Sequence, residues 1–196
     1  QFSNDNQTWS ASEAYTTTKT WTLSSGSGTK TVYVKFSDKA GNWSAPFSAS
    51  IIFTPITINV KEVNLVIGVV VAGSTTVSSS PVTITNNSSS LKATYSLSVV
   101  NPPGWNVSQD SAGAETYVLN AAFSDDPAKI NWNNSNHALA ATPVTCSATK
   151  FAGDKTGFKV PPNETRKLWF QFKAPTSTTI PTDQTITITI TAQAGS

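Results

Sequence analysis

Thr185-Ile186-Thr187-Ile188-Thr189-Ile190-Thr191 puts isoleucines on one side of an extended chain and threonines on the other. Successive side chains of a strand point to opposite faces, so this stretch describes a strand buried on one face and wet on the other. Both residue types are β-branched, so local preference agrees with the pattern. The same period recurs upstream. In Thr31–Phe36, Val32, Val34 and Phe36 share one face while Tyr33 and Lys35 share the other. In Thr94–Val99 the inward set is Tyr95, Leu97 and Val99. Strands of this kind predict antiparallel sheets packed as a sandwich. No convincing helical period runs through the chain.

Turn chemistry punctuates the strands at Ser24–Gly28, Asp38–Asn42, Asn86–Ser90, Asn101–Gly104 and Pro161–Asn163. Ser124–Pro161 is looser and is expected to hold two or three short strands between long loops. The chain has 196 residues, room for one large domain or two small ones. A boundary is expected near Pro55. Residues 1–55 supply about four strands, fewer than the seven or so of a complete immunoglobulin-like sandwich. Residues 56–196 supply about eight to ten, enough for a sandwich with its own core.

Composition narrows the function. Charged residues are only 12% of the chain and the formal net charge is +2, which argues against an electrostatic claim on nucleic acid. Thr and Ser together make up roughly 28%, against the average usage of soluble domains. Hydrophobic residues reach 38%, with 9 Phe, 6 Trp and 4 Tyr, so a core forms readily. With 1 Cys and 1 His, neither an intramolecular disulfide nor a structural zinc site is expected. There are 0 Met, so the chain is expected to be a processed product or a piece of something longer. Its longest apolar run, Val63–Ala72, is too short to cross a bilayer, and no membrane insertion is expected. Low charge with abundant hydroxyls is the habit of secreted β-proteins, and the lack of paired cysteines favours an extracellular bacterial one.

Phe2-Ser-Asn-Asp5, Thr8-Trp-Ser10, Tyr15, Thr20-Trp-Thr-Leu23, Gly28–Phe36 and Asp38-Lys-Ala-Gly-Asn-Trp-Ser44 together resemble the immunoglobulin-like tandem repeats of large bacterial surface and secreted proteins. The likeness covers Phe2 to about Phe53, with Ser12 where such repeats often carry a second Trp. It implies that two or more strands precede Gln1. The fold expected is therefore all-β, with two immunoglobulin-like or β-sandwich units, the first incomplete at its N-terminus. Val82–Asn86, Asn101-Pro-Pro-Gly-Trp105, Thr145–Lys150 and Leu168–Phe172 resemble another bacterial surface β-sandwich, of the type appended to the ends of long surface proteins. The role implied is structural: stalk, adhesin module or filament subunit, with no catalytic residue to carry over.

The search for chemistry agrees. A catalytic triad has only His137 to use, and no Gly-x-Ser-x-Gly turn occurs. His137 reads as a polar loop residue, and Cys146 as a buried, inert thiol. Asp125 and Asp126, followed by Pro127, read as a turn and not as the separated acids of a glycosidase. Asp38–Asn42 reads first as a hairpin turn, ahead of a calcium loop. No cofactor and no enzymatic activity are expected. Asn-x-Ser/Thr triplets begin at Asn6, Asn42, Asn86, Asn87, Asn106, Asn133 and Asn163, as chance produces in a chain this rich in Thr and Ser, so they are weak evidence for glycan attachment. Surface glycans are instead the candidate partner of a carbohydrate-binding or adhesin role.

Two features point to contacts with other molecules. In Ile56–Val71, Ile56, Ile58 and Val60 alternate, Lys61-Glu62 breaks the register, and Val63, Leu65, Ile67, Val69 and Val71 alternate on the other parity. Val66 and Val70 make the second face apolar as well. Two readings fit: one long strand switching sheets at a bulge, or a strand exchanged between subunits. Val63, Leu65, Val66, Ile67 and Val70 are the expected assembly interface. Trp169 is the other feature, set outward with Lys167, Gln171 and Lys173 while Leu168, Phe170 and Phe172 face the core. It stacks on a sugar with Trp132 as a second platform, packs into a neighbouring subunit, or is covered by Ser124–Pro161. The function expected is an extracellular, cell-surface structural protein forming a homo-oligomer or filament. A carbohydrate-binding or adhesin module is the alternative.

Overall fold

The computed structural model describes residues 1–195. The chain is nearly all β, and its contacts group it into two units, Gln1–Pro55 and the remainder from Ile56.

The first unit is a 3-stranded antiparallel sheet of β1 (Phe2–Ser3), β2 (Gly28–Val34) and β3 (Phe47–Phe53), in that order. About four strands were expected; the stretch from Asn4 to Ser27 forms none. Side chains fix its path instead. Asp5 accepts from the amides of Gln7 and Thr8, and Trp21 packs on Phe2 at 5.5 Å while its Nε1 donates to Asn4. The ladder sets Val34 opposite Phe47, Val32 opposite Ala49 and Lys30 opposite Ile51, so one face is apolar. Lys30 lays its stem on that face and donates its ammonium to the Ser25 carbonyl at 2.6 Å.

The second unit is a sandwich. Its larger sheet has 6 strands, with β4 (Ile58–Lys61), β6 (Val82–Asn86), β11 (Thr165–Lys173), β9 (Thr116–Phe123) and β8 (Asn106–Val107) in that order, and β5 (Thr75–Val77) also on β11. The smaller has 3: β10 (Val144–Thr145), β7 (Ala93–Val100) and β12 (Thr187–Ala194). All pairs are antiparallel except β8 with β9. Between the sheets lie Ile84, Tyr95, Leu97, Tyr117, Leu119, Phe123, Leu168 and Phe170, the alternate residues of each strand, as the period-two pattern requires. Asn86 is the polar member of this interior, and its side chain binds the Leu91, Val160 and Pro161 carbonyls and the Ser88 amide.

Two expectations need correction. Ser124–Pro161 contains one two-residue strand, β10, and not two or three. It instead holds a 3-10 turn at Pro127–Lys129 and a single α-turn, α1 (Asn134–His137). Each is set by a cap: Asp126 accepts from the Ala128 amide and Asn133 from the Asn136 amide, both at 2.9 Å. The second correction concerns Ile56–Val71, which is not one strand. β4 ends at Lys61, Glu62 turns with φ 59°, and no ladder resumes before Thr75.

Candidate functional site

The two flanks of the sandwich differ. On one, the Ser124–Pro161 segment closes the gap between the sheets. Leu139 donates to Leu119 and Phe123 to Phe151 on β9; Cys146 donates to Tyr95 and Val99 to Ala140 on β7, all at 2.9 Å. These bonds put the β10 edge of the smaller sheet on the β9 side, so its β12 edge falls on the β4 side.

There the sandwich is open. Among the described residues β12 pairs with β7 alone, so half of its backbone groups face outward without a strand. Ile188 stands opposite Val99, Ile190 opposite Leu97 and Ala192 opposite Tyr95, on one face of the sheet. The β7 members are buried, and the β12 members are only half-buried. Cover is missing above β12.

Val63–Val70 lies along the same core without a strand partner. Among the described residues it makes no backbone hydrogen bond. Leu65, Ile67 and Val70 pack against the core, half-buried, whereas Val63 and Val66 point to solvent, Val66 at 86% exposure. Gly68, with φ 80°, shifts the parity so that Val70 returns to the core side. The five expected interface residues therefore fall on two sides of one segment. No charged residue occurs from Val63 to Leu91 or from Gln184 to Ser196, so neither edge carries the charges that usually prevent strand addition.

The first unit also leaves apolar surface uncovered. Phe47, Ala49, Ile51 and Phe53 share one face of β3, and Phe47 and Ile51 are each 60% exposed. The open edge of β12 and this face of β3 were not singled out from the sequence. The signal was present as Phe47–Phe53 and Thr185–Thr191, two uncharged runs of period two.

Trp169 is half-buried and lies where the start of the Ser124–Pro161 segment meets β11. Its Nε1 donates to the Ser124 carbonyl at 2.9 Å. Trp132, also half-buried, meets the His137 ring edge-on at 5.6 Å. Among the described residues no ring contact joins the two tryptophans. His137, expected as a polar loop residue, closes the α1 turn and is buried. Its Nδ1 accepts from the Asn133 amide, and its Nε2 lies 3.0 Å from the Ala152 carbonyl, placed to donate to it.

Cys146 is buried, and burial pushes its thiol up to about 12. Asp126 caps its turn, and Asp125 pairs with Lys155 at 3.4 Å. Asp38 accepts from the Ala40 and Asn42 amides and from the Asn42 side chain, a closed turn whose hydrogen bonds hold the carboxyl below its usual value. Among the described residues no three His, Cys, Asp or Glu side chains gather as a metal set. Among the described residues no helix is long and apolar enough to cross a membrane. Of the Asn-x-Ser/Thr sites, Asn86 is fully buried with its amide engaged, so the folded chain presents no acceptor there. Asn6, Asn42, Asn87, Asn106, Asn133 and Asn163 are exposed.

No protein-family model, curated protein or solved structure matches the chain.

Proposed function

We propose that this chain is an extracellular bacterial structural protein, a subunit of a surface stalk or self-assembling filament held by strand-edge and apolar contacts. The observation that carries the reading is the open flank of the second unit. β12 has a free edge, its inward isoleucines are half-covered, and Val63–Val70, which packs on the same core, has no strand partner among the described residues. Unpaired, uncharged edges of this kind favour association, because each new strand supplies hydrogen bonds and apolar burial together. The work is mechanical and needs no cofactor. The low share of charged residues and the abundance of Thr and Ser support an extracellular setting.

Sugar binding through Trp169 and Trp132 draws no comparable support, since Trp169 uses its indole N–H on the main chain and Trp132 packs on His137.

Electron microscopy of native material, taken from the cell surface or culture fluid without refolding, tests the reading. Regular filaments, with concentration-dependent growth of the purified chain in sedimentation, are the expected result. Isolated globules that stay monomeric at every concentration overturn it.

A further inference from the structure

We propose that the strand completing the open flank is β3 of a second copy of this chain, added along the free edge of β12. The inference rests on the assembly reading and names its partner.

β12 needs an extended, uncharged strand with apolar residues at alternate positions and its outer edge free. β3 has that form. It is an edge strand of 7 residues beside the 8 of β12, and it pairs with β2 alone. No charged residue occurs from Ala40 to Val60. Phe47, Ala49, Ile51 and Phe53 project from one face, matching the inward row of Ile186, Ile188, Ile190 and Ala192. Placed beside β12 with the apolar rows aligned, β3 continues the smaller sheet into β2 and β1. The exposed phenylalanines then extend the inward apolar row of Ile186, Ile188, Ile190 and Ala192. One contact gives β12 the strand it lacks and turns the apolar row of β3 inward.

The contact is heterologous, since a surface of the first unit meets a different surface of the second. It repeats from copy to copy and builds a row instead of a closed dimer. Pairing β12 with β12 across a two-fold axis leaves the β3 face exposed, so the geometry favours β3.

Single cysteines test the pairing. In the aligned arrangement Ser50 of β3 and Thr187, Thr189 or Thr191 of β12 lie on the outer face, all exposed, and Cys146 is buried. Ser50→Cys chains are mixed under oxidising conditions with chains carrying Thr187→Cys, Thr189→Cys or Thr191→Cys. A cross-linked pair in at least one mixture, absent when either variant is oxidised alone, is the expected result. Cross-linking of the β12 variants with themselves shows β12–β12 pairing and overturns the proposal. In a Ser50→Cys/Thr189→Cys double variant, a bond within one chain shows that its own β3 fills the flank and overturns it too. Filaments of the unmodified chain with no cross-link in any mixture refute the β3 assignment alone. Absence of assembly by the unmodified chain refutes both readings.

Discussion

Ile190 and Leu97 stand opposite each other in the β12–β7 ladder, on the same face, yet Leu97 is fully buried and Ile190 is only half-buried. The inequality predicts unequal costs. Leu97→Ala empties an enclosed site and is expected to lose about 2–5 kcal/mol. Ile190→Ala opens onto solvent, leaves no closed cavity, and is expected to lose roughly 1 kcal/mol. Urea unfolding at concentrations where the chain is monomeric checks this, and equal losses mean that the flank is closed.

Leu65 and Val66 are adjacent but differ in role, Leu65 packing on the core and Val66 facing solvent. Val66→Lys is expected to leave monomer stability within about 0.5 kcal/mol of the parent. It adds a charge at an edge that has none, so assembly in sedimentation is expected to weaken. Leu65→Lys is expected to cost about 1–2 kcal/mol by removing apolar burial. Unchanged assembly by a folded Val66→Lys chain removes this segment from the interface.

The ladders were legible in the sequence wherever one face of a strand is buried. Thr94–Val99 and Thr187–Thr191 declare their inward residues because a slip of one residue would turn every Ile or Tyr to solvent. Val63–Val71 shows the limit. Val63, Leu65, Ile67, Val69 and Val71 alternate, but Val66 and Val70 are apolar too, and the left-handed residues Glu62 and Gly68 interrupt the extended run. The outward parity of Trp169 was readable; its carbonyl partner at Ser124 was not, since that contact joins residues far apart in the chain. The turns at Pro127–Lys129 and Asn134–His137 are too short to show a helical period, and their local signs are the caps at Asp126 and Asn133 and the proline that opens the first.

Stability is expected to fall in alkali. Burial pushes the phenols of Tyr95 and Tyr117 and the thiol of Cys146 up to about 12. In the unfolded chain these groups titrate near 10 and 8.5. Because the folded values are raised, the folded state holds protons that the unfolded state releases. Their contribution is complete below about pH 8.5 and is lost progressively as pH climbs toward 12. Urea midpoints across that range check the slope, and a flat profile contradicts it. Cys146 is likewise expected to ignore thiol reagents in the native state and to react fully in denaturant.

Asn86 ties three segments together from within the core. Its amide hydrogens are shared by the carbonyls of Leu91, Val160 and Pro161 at 2.9, 2.9 and 3.1 Å, and its side-chain oxygen accepts from the Ser88 amide. Its backbone adds two more links, donating to Glu164 and accepting from Asn163. Asn86→Ala keeps the backbone bonds but strands several buried polar groups, each of which costs about 1–3 kcal/mol when left unpaired. A total loss of roughly 3 kcal/mol or more is expected from that same range. Asn86→Asp is expected to be no milder: it keeps the acceptor toward Ser88 but sets a carboxylate against three carbonyls, so its loss should grow as pH rises and the acid ionises. Comparing urea midpoints of the two variants at pH 4 and pH 8 separates the effects. Asn86→Ala should show a pH-independent deficit relative to the parent, and Asn86→Asp a deficit that deepens at the higher pH. An Asn86→Ala chain as stable as the parent contradicts the assignment of Asn86 as the tie between β6, Leu91 and Val160–Pro161.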